Sequence, residues 1–128
     1  MSSPWPTIVE RYREPLTARD GNEGFLQACE AIGALAEHIC TTQLGNVLFG
    51  TTSMFDLCIQ PADLPLLHAP HLRIAPLPSG LVSFRYVDTA IEARQWSRDV
   101  AVGGVVAQLH RFLEQLGWAR AVPLPAST

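Results

Sequence analysis

Few residues in this 128-residue chain have the types and spacing that carry out chemistry, and the histidines come first. His68-Ala69-Pro70-His71 offers two imidazoles three residues apart, and His38-Ile39-Cys40 adds an imidazole and a thiol, a soft donor set for a transition metal. Two ligands bind one ion well only from a fixed scaffold, and the first pair sits in a proline-rich loop. His68 and His71 are therefore weak metal candidates that read as exposed loop histidines, and no cofactor is expected. His110, between apolar positions of a late helix, reads as an edge residue. Thr51-Thr52-Ser53, with Asp56 just after, is the nearest approach to a hydroxyl-rich active loop, although hydroxyls at a strand start account for it equally. No Gly-x-Ser-x-Gly elbow is present, and Cys29 and Cys58 read as small core hydrophobes. Gly103-Gly104 precedes a helix near Arg98, an arrangement that could hold an anion or simply allow close packing.

Composition narrows the choice of reaction further. All nine basic residues are arginine, which removes a phosphate-loop lysine, a Schiff-base lysine for pyridoxal or aldol chemistry, and the lysine base of some hydrolases. A net charge of −3 with scattered arginines argues against binding nucleic acid, which needs a basic face. The opening residues do not resemble a signal peptide and no apolar run is long enough to span a bilayer, so no membrane partner is expected. Three cysteines without a Cys-x-x-Cys pair suit a reducing cytoplasm. Arginine in place of lysine, with abundant alanine, glycine and proline, suggests a GC-rich bacterial genome.

The elements that must position these residues follow from periodicity. Residues 1–21 read as a proline-containing lead-in with a helical turn near Ile8 to Arg13. Phe25, Cys29, Ile32, Ala36 and Ile39 form one apolar stripe of a helix over about 23–41, capped by Asn22, with a close backbone approach expected at Gly33. Phe55, Leu57 and Ile59 alternate as in a strand, and residues 47–60 form either two strands or one with a bulge at Gly50. Leu72 to Leu77 and Leu81 to Val87 flank the Pro78-Ser79-Gly80 turn, with Val82, Phe84 and Tyr86 on one face. Val102, Val105, Val106, Leu109, Phe112, Leu113 and Leu116 mark a final helix that ends at Gly117. The expectation is an α+β fold: a single two-layer domain over 22–120, its antiparallel sheet of three to five strands bearing an N-terminal and a C-terminal helix on one face, in the order α-β-β-β-(β)-α. Residues 121–128 form a tail.

A further strand over about 91–98 can be placed by register. A two-residue loop at Asp88-Thr89 sets Tyr86 opposite Ile91, Phe84 opposite Ala93, Arg85 opposite Glu92 and Ser83 opposite Arg94. Arg85, Arg94, Trp96 and Arg98 then share the sheet face away from the helices, and arginine beside tryptophan is interface chemistry. These residues predict a cytoplasmic protein-binding or adaptor domain without catalysis, of the size and charge of small bacterial chaperones or immunity proteins, acting on another protein or as a homodimer. The alternatives are a small hydrolase or metal-dependent enzyme using His68, His71 and the Thr51–Ser53 loop, and a ligand-binding domain with an apolar cleft near Phe25, Phe55 and Phe84.

Overall fold

A computed structural model describes residues 2–14, 21–62, 70–88, 93 and 95–118. Three helices, α1 (Trp5–Arg13), α2 (Glu23–Cys40) and α3 (Val105–Leu116), flank five strands: β1 (Phe49–Ser53), β2 (Asp56–Gln60), β3 (His71–Pro76), β4 (Val82–Val87) and β5 (Trp96–Val100). The strands form one antiparallel sheet in the order β1-β2-β3-β4-β5. The α+β architecture is therefore the expected one, with the sheet at its upper expected size.

Each element begins and ends where local chemistry requires. The Asn22 side chain accepts the Phe25 N–H at 2.8 Å and so satisfies one of the unpaired amides of the first turn of α2. The end of α3 is a Schellman motif: Gly117 takes φ 74°, its N–H bonds the Glu114 carbonyl, and the Trp118 N–H bonds the Leu113 carbonyl at 2.9 Å. Val102 lies ahead of α3 in a 3-10 turn and is exposed, so the helical stripe starts one turn later than its apolar spacing implies.

The stretch 47–60 is two strands, and Gly50 is paired within β1 rather than bulged. The reversal falls at Met54-Phe55, where Met54 takes the left-handed φ of 55°. Gly50 has another purpose. A Cβ there would stand 2.6 Å from the Trp5 ring and 2.8 Å from Ile8 Cδ1, so only glycine lets α1 sit on the sheet. The opening residues are thus more than a lead-in. Trp5, Ile8 and Val9 are buried, and the Trp5 indole donates to the Leu48 carbonyl at 2.9 Å.

The core lies between the helices and one sheet face, where Leu57, Ile59, Leu72, Ile74, Val82 and Phe84 meet Ile32, Leu35, Ile39, Leu109 and Phe112. Residues opposite each other in an antiparallel pair share a face, so the register assigns the rest. Thr51, Cys58, Arg73, Arg85 and Ser97 form one row across the other face. Ala75, Ser83 and Asp99 form a second row there.

The β4–β5 register differs from the expected one. Tyr86 pairs with Trp96, Arg85 with Ser97, Phe84 with Arg98 and Ser83 with Asp99. The shift is five residues, an odd number, so it exchanges the faces of β5. Energetics account for the choice. Exposed arginine–glutamate pairs contribute up to about 1 kcal/mol, whereas fully burying a large apolar side chain contributes about 1.5–3 kcal/mol, and the partly buried Trp96 and Val100 each gain a share of that. The observed register places Trp96 on Tyr86, stacked with ring centroids 5.8 Å apart, and against Phe112 at 4.3 Å.

Candidate functional site

The expected arginine–tryptophan face is divided by this register. Arg85 stays on the face away from the helices, exposed, while Trp96 and Arg98 turn to the helix side. Arg94 lies outside the described residues. Trp96 remains half-exposed because β5 is the sheet edge, and Ser97, Arg98 and Asp99 are all exposed. No described strand pairs with the outer edge of β5. The other edge is blunted: Ser3 bridges to Gly50 of β1, its N–H bonding the Gly50 carbonyl at 2.8 Å.

The face away from the helices has two unlike halves. Toward β2 and β3 it is closed, for Cys58, Gln60 and His71 are buried at 1%, 4% and 5% exposure. Asp56 and Arg73 make a half-buried pair there, Nε donating to Oδ2 at 2.6 Å, with Arg73 Nη1 3.8 Å from Cys58 Sγ. Burial pushes the Cys58 thiol pKa up, against the opposing pull of Arg73, so the reactive thiolate is disfavoured. The amide nitrogen of Gln60 is buried without a hydrogen-bond partner. Toward β4 and β5 the face is open, and a groove of about 400 Å³ is lined by Arg85, Val87, Gln95, Trp96 and Ser97.

The hydroxyl and histidine candidates are not assembled. Thr51 and Ser53 share the face away from the helices, whereas Thr52 turns to the core side. His71 is the first residue of β3 and buried, not an exposed loop histidine, and His68 lies outside the described residues. Thr51 and His71 are separated by β2 and offset by two residues along the strands, which sets their backbones about 12 Å apart. Among the described residues no group of three or more His, Cys, Asp or Glu is placed to hold a metal ion. The three phenylalanines expected to line a cleft make two separate contacts instead, Phe25 edge-on to Phe55 at 5.3 Å and Phe84 against Phe112 at 5.4 Å.

One contact was not visible in the sequence. His38 of α2 and His110 of α3, 72 residues apart, meet with their Nε2 atoms 2.9 Å apart. The ring centroids lie 5.1 Å apart, so each ring adds about its own radius and the contact is nearly linear. That is the geometry of an Nε2–H to Nε2 hydrogen bond, with the lone pairs not converging on a third point. Burial lowers both pKa values, and for His110 the charge of His38 lowers it further. No spacing rule links the two positions; only the crossing of α2 and α3 does.

No helix among the described residues is long and apolar enough to cross a membrane. Compared with known proteins, the chain matches no family model, no curated protein and no solved structure.

Proposed function

We propose that this chain is a small bacterial, cytoplasmic protein-binding domain of adaptor type, which docks another polypeptide along the β5 edge and the adjoining groove. The observation that carries this reading is the asymmetry of the sheet. One edge is blunted by Ser3 and half of one face is closed, while β5 and the Arg85 groove remain exposed side by side. An exposed strand edge presents a row of backbone donors and acceptors that an incoming strand satisfies, and the groove beside it supplies side-chain selection. The cytoplasmic assignment is supported by three cysteines that form no disulfide. The geometry favours docking over hydrolysis, since Thr51 and His71 stand on separated strands and the Cys58 thiol is held protonated.

A photo-crosslinking residue at Ser97 tests this reading in cells. It is expected to give a covalent adduct with a second polypeptide, either another copy or a foreign chain. The same residue at Glu30, exposed on α2, should give none. Equal adduct yields at the two positions, or none at Ser97, would remove the reading.

A further inference from the structure

We infer that the occupant of the β5 edge is a second copy of this chain, paired antiparallel through β5 across a two-fold axis at Arg98. The inference rests on the docking reading above and adds the partner and the register. A two-fold axis perpendicular to a sheet brings identical edge strands together antiparallel, and opposite residues must then share a face. Only registers that pair residues of the same face satisfy this condition, and the one centred on Arg98 engages all five residues of β5. Depending on which amides of β5 point outward, it closes about four to six backbone hydrogen bonds.

Side chains support this register on both faces. On the helix side Trp96 stands opposite Val100 of the second copy, which extends the Tyr86–Trp96 stack and covers an indole left half-exposed at the edge. On the other side Ser97 stands opposite Asp99 of the second copy, so that Arg85, Ser97 and that aspartate form one row. Two strand spacings, about 9.6 Å, then separate the Arg85 and Asp99 backbones, with only a serine between them for an extended arginine to cross. Within its own chain Arg85 is diagonal to Asp99, yet neither takes part in an ion pair among the described residues. By symmetry the pairing creates this contact twice. Arg98 faces its own copy across the axis, and like charges directly opposite weaken an antiparallel pair. The dimer is accordingly concentration-dependent, and Arg98 sets its limit.

Charge reversal tests the contact. In sedimentation of the 128-residue chain from micromolar to millimolar concentration, the wild type is expected to pass from monomer to dimer. Arg85→Glu alone and Asp99→Arg alone should stay monomeric with unchanged circular dichroism, because both side chains are exposed. An equimolar mixture of the two variants should dimerise again. In the mixed dimer one contact joins the introduced glutamate to the introduced arginine, and the other joins the native Arg85 to the native Asp99, a rescue that no effect within one chain can mimic. Arg98→Thr should dimerise at several-fold lower concentration. A wild type that stays monomeric throughout, or a mixture that does, overturns the second copy as partner. A foreign adduct at Ser97 with a monomeric wild type would remove only this inference, and no adduct at all would remove the docking reading too.

Discussion

His38 and His110 show how much one contact depends on protonation. At neutral pH one Nε2–H donates to the other ring, and the bond ties the end of α2 to the middle of α3. Both folded-state pKa values lie below the ordinary 6.5, chiefly through burial. As pH falls below 6.5 the unfolded chain therefore binds protons before the folded one does. Stability from this pair is complete above pH 6.5 and is lost as the pH falls through the lowered folded-state values. The melting temperature of the wild type should thus drop between pH 7.5 and pH 5 more than that of His38→Gln. Equal drops would show that the pair contributes nothing. Asp56 poses a second residue-scale question, because Arg73 beneath the closed half of the sheet has it as its only carboxylate partner among the described residues. Asp56→Ala leaves that half-buried guanidinium unpaired and should cost about 1–3 kcal/mol in urea unfolding. A loss within error of zero would place the pair among surface bridges of no consequence.

Among the elements, α1 and β5 separate what the sequence discloses from what it conceals. The stripes of α2 and α3, the Asn22 cap, the Gly117 stop and the β3–β4 hairpin could be read directly, because helix and strand periods and cap chemistry are local. The close approach at Gly33 was also legible, where Tyr12 packs. The role of α1 was not, because its fit depends on Gly50 lying beneath Trp5, 45 positions away. Gly50→Ala is expected to lower stability by about 1–3 kcal/mol through overpacking, read as an earlier urea midpoint. An unchanged midpoint would mean that α1 is not seated on β1 as described. The β5 register went astray for a related reason. Pairing Arg85 with Glu92 satisfied every neighbouring residue, but Tyr86 and Phe112 offered Trp96 a partly buried site that local pairing does not reveal. Of the face expected from sequence, Arg85 keeps its place, while Trp96 now covers the core from the edge.

For the whole molecule the consequence is directional. The helices, the Ser3 bridge and the closed β2–β3 half leave the polypeptide one exposed strand edge with a groove beside it among the described residues. Trp96 and Val100 on one side of that edge, and Arg85 and Asp99 on the other, give it complementary chemistry for its own copy. Amide hydrogen exchange of β5 tests this most directly, because an edge strand protects only the amides turned toward its neighbour. Over the same concentration series, the fast-exchanging, outward amides of residues 96–100 are expected to slow as the protein is concentrated, while those of β1 do not change. Outward β5 amides that exchange at one fast rate at every concentration would contradict it.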